Sequence, residues 1–345
     1  ATILALVMAL GMALGITTAA WAEQPAVAKM GGTTYTNLHQ ALEEAVNGGT
    51  VELLGDVTLT GTWTVVGTET DPFKGTFDGK GYTITGLNIS TNENDYVGLI
   101  GILDGGTVKN VKFASVSVNG KDDVGTAVGR IINGGTVSGV QVLGGTVSGA
   151  KRVGGVVGSI KANGTVSDCI NAATVTGSVY NVGGIVGAAY YTKTDKQMYI
   201  TNCANNGAVT SSSVGAGGIV GLSAANVSGN TNTAEVKGTE VGGIVGEQKS
   251  YGSVTNNTNS GAVTYTNGAN TYGAGGIIGW LRYHGTSEAS AYEVSDIISV
   301  TGNKNSGNVT GGNDAGGIVG TVYNSAVIMN NKNTATSFSA TTFAA

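Results

Sequence analysis

This chain of 345 residues contains few prolines and few charged residues, and each of these shortages excludes a class of protein. Pro25 and Pro72 are the only prolines, which excludes a collagen-like triple helix. Charged residues make up 11 % of the chain, but 41 % are hydrophobic and the net charge is only −5, which excludes a disordered polyelectrolyte. With 17 Lys and Arg against 22 Asp and Glu, we expect no nucleic-acid partner.

Glycine is the residue in excess. It occupies 59 of the 345 positions, more than twice its usual share of roughly 7 %. A glycine-rich chain that keeps its aliphatic residues and lacks proline favours many tight turns between buried strands. The length allows two compact domains or one elongated domain, and internal repeats decide between them.

Residues 1–22 form an uncharged apolar segment that ends in Ala20-Trp21-Ala22, and polar Glu23 follows. This pattern predicts a secretory signal peptide over 1–22, and an uncleaved membrane anchor is the alternative. No initiator Met or basic region precedes the segment, so we expect the sequence to begin inside its reading frame. We therefore expect an exported protein with no membrane span in the mature chain, which starts with a linker at 23–32.

A glycine-aliphatic block recurs eight times, with 28, 29, 29, 34, 25, 33 and 41 residues between successive final glycines. A repeat with a minimum length near 25 residues and occasional insertions is typical of a solenoid whose loops vary in length. The blocks are DYVGLIG (95–101), DVGTAVG (123–129), RVGGVVG (152–158), NVGGIVG (181–187), GAGGIVG (215–221), EVGGIVG (240–246), GAGGIIG (273–279) and DAGGIVG (314–320).

Between blocks, each period carries a short run of Val and Thr, an Asn-rich bend and a second such run, as in GTVSDCINAATVTGSVY (164–180). Alternating β-branched residues over three to five positions predict short strands rather than helix. Three short strands in each period predict one coil of a parallel β-helix.

Alignment of the Asn-rich bends predicts two inward ladders that lie two residues apart, the repeat of an extended strand. Stacked Asn side chains can hydrogen-bond to one another and to turn backbone; the alternative is that these Asn residues adopt the left-handed conformation of turns. The first ladder is Val111, Val140, Cys169, Cys203, Asn230, Asn257, Asn303 and Asn331, and the second is Phe113, Val142, Asn171, Asn205, Asn232, Asn259, Asn305 and Asn333.

The GGIVG block followed by the V-x-x-C/N-x-N-x-G-x-V segment resembles the GLUG-motif repeats of bacterial secreted and surface proteins, over residues 95–335. Such repeats occur in adhesin-like proteins and beside the protease domain of some IgA-cleaving peptidases. The resemblance therefore implies a bacterial protein that is secreted or held at the cell surface.

Residues 33–94 resemble the cap and the first coils of pectin-lyase-like right-handed β-helices. The fold implied is all-β, a right-handed parallel β-helix (β-solenoid) with three short strands per coil and a short N-terminal capping α-helix. Asn37 and Gln40 predict a capping box at the start of that helix. Its apolar face at helical spacing is Leu38, Ala41, Leu42, Ala45 and Val46. Residues 336–345 are interpreted as a truncated C-terminal tail.

No set of residues in the sequence predicts catalysis, a metal site or a cofactor. The two histidines, His39 and His284, are far apart, and a metal site or a catalytic triad needs a His on the repeat face. The nearest acid pair is Asp122-Asp123. Two carboxylates about 5–10 Å apart suffice for glycoside hydrolysis, so a polysaccharide lyase or glycoside hydrolase stays an alternative.

Cys169 and Cys203 lie one coil apart in the first ladder. Export permits a disulfide, and neighbouring strands bring the two Cα atoms within bridging range. In-register stacking points both side chains the same way, which strains a bridge, so buried thiols and a disulfide both stay open.

Insertions after the glycine blocks are rich in aromatic residues. Loops that leave the same corner of successive coils gather on one flank, which is where repeat proteins often bind partners. We expect this flank to bind a glycan or a host or cell-surface protein; the alternative is that the aromatic side chains cover the wall of the solenoid. The residues concerned are Tyr190, Tyr191, Tyr251, Trp280, Arg282, Tyr283 and Tyr292.

The sequence thus favours a non-enzymatic surface β-helix that acts as an adhesive or stalk module. The alternatives are a polysaccharide-degrading β-helix enzyme and an accessory repeat domain of a larger protease or adhesin. An uncapped C-terminal end also predicts head-to-tail self-association.

Overall fold

The computed structural model describes residues 24–190, 197–249, 252–266, 273–282, 297–312, 314–323 and 326–340. The signal peptide predicted over 1–22, together with Tyr191, Tyr251, Tyr283, His284 and Tyr292, lies outside these residues. No helix within the described ranges is both long and apolar enough to cross a membrane.

The chain winds into a parallel β-helix, so the predicted all-β solenoid with one short helix is confirmed. The strands of the described ranges form four sheets, which we number 1 to 4 in the order in which they occur along each coil. Along sheet 1, ten parallel strands stack from Thr50–Leu53 to Ala326–Met329, and nine steps of about 4.8 Å make the stack roughly 43 Å long.

Sheets 1 and 2 contain the strands that precede and follow the Asn-rich bend of each coil. Sheet 1 comprises Ala28–Met30, Thr33–Tyr35, Thr50–Leu53, Thr76–Asp78, Thr107–Lys109, Thr136–Ser138, Gly164–Ser167, Met198–Thr201, Asn226–Ser228, Ser253–Thr255, Ile298–Thr301 and Ala326–Met329. Sheet 2 comprises Val57–Thr58, Thr83–Thr85, Lys112–Ala114, Gln141–Val142, Ile170–Asn171, Ala204–Asn205, Thr231–Asn232, Thr258–Asn259, Lys304–Asn305 and Lys332–Asn333.

Sheets 3 and 4 hold the strands that lead into and out of the glycine blocks. Sheet 3 comprises Asn88–Ser90, Val116–Asn119, Asp122–Val124, Gly145–Gly154, Thr174–Gly183, Val209–Ser211, Val214–Gly217, Val236–Gly238, Val241–Gly242, Val263–Tyr265, Ala274–Gly275, Val309–Gly311, Ala315–Gly316 and Phe338–Ala340. Sheet 4 comprises Ile100–Asp104, Val128–Ile132, Val157–Lys161, Val186–Tyr190, Val220–Ser223, Val245–Gln248, Ile278–Arg282 and Val319–Tyr323.

The prediction of three strands per coil is too low, because the glycine block is not a simple turn. Its first half lies in sheet 3 and its second half starts sheet 4, so the chain folds back on itself within the block. A Cβ on Gly158 would lie 2.5 Å from the carbonyl oxygen of Gly129 and 2.5 Å from the amide nitrogen of Val124. Glycine is required there because the backbones of sheets 3 and 4 touch.

The core is a set of aliphatic columns that run along the solenoid axis. In sheet 1, one residue of each strand from Thr50–Leu53 to Ile298–Thr301 lies in a common buried column, and its two neighbours in the strand point outward, as alternation in a strand requires. The buried column begins at Val51 and Phe77 and continues through Val108, Val137, Val166, Ile200, Val227, Val254 and Val300.

The N-terminal end is covered by helix α1, Leu38–Glu44, which confirms the predicted capping helix. The Asn37 side chain accepts hydrogen bonds from the backbone N–H groups of His39 and Gln40. The other half of the predicted capping box is absent, because the Gln40 amide donates forward to Glu44 at 3.1 Å. The face predicted for this helix, from Leu38 to Val46, is buried in the common core.

The C-terminal end differs from the N-terminal end in its exposure. Val327, Ile328 and Met329 in the last strand of sheet 1 are exposed, as are Val322 and Tyr323 in the last strand of sheet 4. The N-terminal end that a head-to-tail contact would use is covered by α1. Head-to-tail association therefore stays a prediction.

Candidate functional site

The two predicted ladders lie in register through the solenoid. In the second ladder each Nδ2 donates to the Oδ1 of the next coil at 2.8–2.9 Å, from Asn171 through to Asn333. The same Nδ2 donates to a carbonyl two residues further along its own coil, for example from Asn232 to Ala234 at 2.9 Å. These buried carboxamides are satisfied by one another and by backbone, as buried polar groups must be.

The Asn residues with a left-handed backbone conformation are not those of the ladders. Asn202, Asn256 and Asn330, each at the corner before sheet 2, have positive φ values of 54–56°. The ladder positions Asn205, Asn259 and Asn305 do not have a positive φ. Stacking in a ladder and a left-handed turn conformation, the two alternatives for the Asn residues, therefore apply to different residues of the same bend.

Cys169 and Cys203 are free, buried thiols in the first ladder. Each sulfur lies 3.1–3.2 Å from a carbonyl oxygen of its own coil, that of Ser167 or Thr201. The hydrogen bond with Cys169, together with burial, raises the pKa of Cys203 well above its usual range. The coil-to-coil bonding continues from Cys203, whose backbone N–H donates to Asn230 at 2.8 Å.

Trp280 and Arg282, predicted to lie in an insertion loop, belong instead to the sheet 4 strand Ile278–Arg282, and Tyr190 ends the strand Val186–Tyr190. Sheet 4 strands continue for several residues beyond the last glycine, because they pair in register with the preceding coil. Trp280 is only 7 % exposed. This residue therefore covers the wall of the solenoid, which was the alternative considered for the aromatic side chains.

A stripe that carries charged side chains at several coils runs along the solenoid beside the glycine blocks, and we call it the arch stripe. One side is formed by the residues that precede the paired Val or Ala of sheet 3, and the other by the residues that follow the last glycine in sheet 4. The first side is Tyr96, Asp123, Arg152, Asn181, Gly215, Glu240, Gly273 and Asp314, and the second is Arg130, Ser159, Ala188, Leu222, Glu247, Trp280 and Thr321.

Asp123 is the centre of an ion network at the N-terminal part of the arch stripe. Its fully buried carboxylate accepts hydrogen bonds from Arg130 at 2.6 Å and from Arg152 at 2.8 Å. Burial disfavours a charged guanidinium, but the hydrogen bond with Asp123 raises the pKa of Arg152 above its ordinary value. The guanidinium of Arg130 also lies 4.4 Å above the ring of Tyr96. The network joins three successive coils.

Two tyrosines border this network. Burial and a hydrogen bond to Glu69 raise the pKa of Tyr96 to about 12. Burial, with the nearby carboxylate of Asp123, also raises the pKa of Tyr190, whose hydroxyl interacts with Ser159. The structure thus places Tyr190 over the ion network and not on an isolated loop.

Glu240 and Glu247 form an acid pair further along the arch stripe, and both are 3 % exposed. Glu247 is paired with Arg282 and lies 3.8 Å from Lys249. Burial, together with the charge of Glu247, raises the pKa of Glu240 to about 8, and no hydrogen bond reaches its Oε2. At neutral pH, Glu240 therefore holds a proton.

Trp280 closes this part of the stripe. The guanidinium of Arg282 lies 4.1 Å from the centroid of the Trp280 ring, and Tyr323 meets the same ring edge-on at 6.2 Å. Arg282 thus contacts the Glu247 carboxylate and the indole together, which excludes water from one side of the acid pair.

Replacing Glu240 with Gln is expected to change how stability depends on pH. The folded pKa of about 8 lies above the ordinary 4.5, so the folded state binds one proton more than the unfolded state between these values. The stability of the natural chain relative to Glu240→Gln is therefore greatest below pH 4.5. It falls by up to about 1.4 kcal/mol per pH unit as the pH rises to 8.

Urea unfolding of both proteins at pH 5, 6, 7 and 8 measures this difference. The exposed Glu235, changed to Gln, is the matched control for the loss of one carboxylate. Parallel pH profiles for the natural chain and Glu240→Gln would contradict the prediction.

Two open clefts lie beside the irregular segment 59–67. The first, of about 710 Å³, is lined by Glu69, Glu93 and Asp95, and the second, of about 630 Å³, by His39 and Asp56. His39 meets the buried Trp63 edge-on at 5.1 Å. Within the described ranges, no three or more His, Cys, Asp or Glu side chains are grouped so as to hold a metal ion.

Glu240, Glu247 and the two arginines around Asp123 are not among the site residues predicted from the sequence, although they form the buried ion pairs and the acid pair of the arch stripe. A signal was available, because from Asp123 onwards the two sides of the arch stripe are seven residues apart in sequence. Pairing the first residue of a block with the residue that follows its last glycine gives Asp123 with Arg130 and Glu240 with Glu247.

No protein-family model matches the chain. The chain is 46 % identical over 63 residues to Halomucin of Haloquadratum walsbyi, a match that covers 17 % of this chain and 1 % of that protein. Among solved structures, it is similar to a "putative immunoglobulin A1 protease" from Bacteroides ovatus, with 21 % identity and a TM-score of 0.48 over 88 % of this chain and 80 % of that one. This chain therefore spans about a hundredth of the length of the curated relative that it matches.

Proposed function

We propose that this chain is a rod-like module of a bacterial surface protein, exported from the cell, that acts by adhesion or as a stalk and not by catalysis. The in-register stack of ten strands in sheet 1, continuous from the first coil to the last, supports this proposal. Hydrogen bonds and two Asn ladders join every coil to the next over the later part of the stack. Such a module holds whatever lies at its two ends at a fixed separation.

The described ends of the sheet 4 strands support a binding role along one edge. Segments 191–196, 250–251, 283–296 and 324–325 each connect a sheet 4 strand to the next strand of sheet 1. The sheet 4 strands are aligned in register, so these segments start from one line along the solenoid. Tyr191, Tyr251, Tyr283 and Tyr292 lie in these segments and are the proposed contacts to a glycan or a host protein.

Membership of the GLUG-repeat proteins is part of this proposal, and so is location at the cell surface. Eight glycine blocks in phase support the first.

A binding experiment on the full chain tests the proposal. The chain is applied to an array of host glycans and to immobilised cell-surface proteins, alongside a variant with Tyr191, Tyr251, Tyr283 and Tyr292 changed to Ala. We expect the variant to lose the binding of the natural chain, while Tyr82→Ala, which removes an exposed tyrosine elsewhere, keeps it. Unchanged binding by the fourfold variant would contradict the role given to these tyrosines.

Glycoside hydrolysis is a second candidate, and the acid pair favours it. A protonated Glu240 beside Glu247, which is paired with Arg282, offers the acid and the carboxylate that such hydrolysis uses. Both side chains are 3 % exposed, which supports the non-enzymatic proposal instead. Release of reducing ends from a polysaccharide panel by the natural chain, abolished by Glu240→Gln, would overturn that proposal; no release would support it.

A further inference from the structure

The outer face of sheet 1 carries hydroxyl groups in register over six successive coils. One column of outward residues is Ser138, Ser167, Thr201, Ser228, Thr255 and Thr301. The parallel column, two residues earlier in each strand, is Thr136, Thr165, Tyr199, Asn226, Ser253 and Ser299. None of these twelve residues is charged.

The spacing of this face follows from strand geometry. Neighbouring strands lie about 4.8 Å apart, and outward residues of one strand lie about 6.6–6.8 Å apart. Hydroxyl groups therefore repeat along the solenoid axis with a fixed period. All twelve side chains are at least partly accessible to solvent.

Tyr199 stands near the middle of the face. Its side chain is 41 % exposed, while Thr165 and Asn226 flank it in the same column. Asn226 is held in place by a hydrogen bond from Ser253 at 3.0 Å. An exposed aromatic ring beside fixed hydroxyl and amide groups offers a sugar both a stacking surface and hydrogen bonds.

The absence of charged residues among the twelve outward residues of sheet 1 favours an uncharged partner. At the N-terminal edge, Lys109 is paired with Asp78 at 3.5 Å, so that edge has no unpaired cation. An acidic polysaccharide would find no Lys or Arg among the twelve residues, and a nucleic acid would meet the same lack. Ser and Thr hydroxyls both donate and accept hydrogen bonds, as the hydroxyls of a neutral sugar also do.

We propose that the outer face of sheet 1 binds a neutral polysaccharide chain along the solenoid axis, with Tyr199 stacked on a sugar ring. This proposal does not depend on the one made for Tyr191, Tyr251, Tyr283 and Tyr292. The solenoid period then sets the spacing of successive contacts, and an extended chain engages more of them than a short oligosaccharide does.

Affinity electrophoresis of the full chain through gels that contain a soluble neutral glucan, a mannan or polygalacturonate tests this proposal. We expect retardation by a neutral polysaccharide and none by polygalacturonate. Tyr199→Ala should weaken the retardation about tenfold, and Thr201→Lys should weaken it because a charge enters the hydroxyl column. Thr176→Lys on the outer face of sheet 3 is the matched control and should bind like the natural chain.

Circular dichroism of each variant verifies that it is folded. The variant with Tyr191, Tyr251, Tyr283 and Tyr292 changed to Ala should still be retarded, so failure of the proposal for those tyrosines and failure of this one are distinguishable. Absence of retardation by every neutral polysaccharide, or equal retardation of the natural chain and Tyr199→Ala, would overturn the proposal.

Discussion

Replacing Asn232 with Asp is expected to destabilise the solenoid by at least about 3 kcal/mol at neutral pH. The Asn232 amide donates to the carbonyl of Ala234 at 2.9 Å and to Oδ1 of Asn259 at 2.8 Å. An aspartate of the same shape cannot make either donation when ionised, and it faces two oxygen atoms in a fully buried position. The loss should be smaller at low pH, because a protonated carboxyl can restore one donation.

Chemical denaturation at pH 4 and pH 7 measures this effect. Asn206→Asp is the matched control, because Asn206 lies on the neighbouring coil, is exposed and accepts a bond from Thr233 at 2.8 Å. We expect its free energy of unfolding to stay close to that of the natural chain. If Asn232→Asp were no more destabilising than Asn206→Asp, the ladder would contribute little to stability.

The Asn ladder also explains why two sequence motifs occur together. A Cβ on Gly155, the second glycine of its block, would lie 2.7 Å from Nδ2 of Asn171, and Gly218 has the same relation to Asn232. In the early coils the block has Leu99 or Thr126 at this position, and the ladder has Phe113 or Val142 in place of Asn. The second glycine of the GG pair therefore leaves the space that the Asn carboxamide of the ladder occupies.

Periodicity made the fold predictable from sequence. The spacing of the glycine blocks and the alternation in strands such as Thr165–Val166–Ser167 are properties of single coils, and stacking repeats them in register. The apolar face of α1 was predictable for the same reason, since Leu38, Ala41 and Leu42 follow one local period. Local patterns of this kind need no knowledge of distant contacts.

Contacts between the two halves of a glycine block were not predictable in that way. Whether the block is a turn or two short strands depends on the close approach of sheets 3 and 4, which the residues of one block do not reveal. For the same reason Trp280 and Arg282 were expected in a loop, although they continue a strand against the previous coil. The raised pKa of Glu240 depends on burial and on Glu247 across the arch, and neither is a property of its neighbours in sequence.

Replacing Asp123 with Ala is expected to be among the most destabilising single changes in the chain, at about 3–5 kcal/mol. The carboxylate is fully buried and receives hydrogen bonds from Arg130 and Arg152, whose side chains are largely buried as well. Its removal leaves two guanidinium groups without their shared anion. Asp123 also has a φ of 54°, a left-handed conformation that Asp tolerates better than Ala does.

Urea unfolding of Asp123→Ala measures the loss, and Asp123→Asn separates its two causes. Asn keeps the shape and tolerates the left-handed backbone, so it should retain the conformational part of the stability and lose the electrostatic part. Asp95→Ala is the matched control, because Asp95 is exposed and lies 3.8 Å from Lys121, a pair that contributes about 0–1 kcal/mol. Equal losses for Asp123→Ala and Asp95→Ala would show that the network stabilises the solenoid no more than a surface ion pair. A large loss confined to Asp123→Ala, with Asp123→Asn close to the natural chain, would instead assign the stabilisation to the backbone conformation.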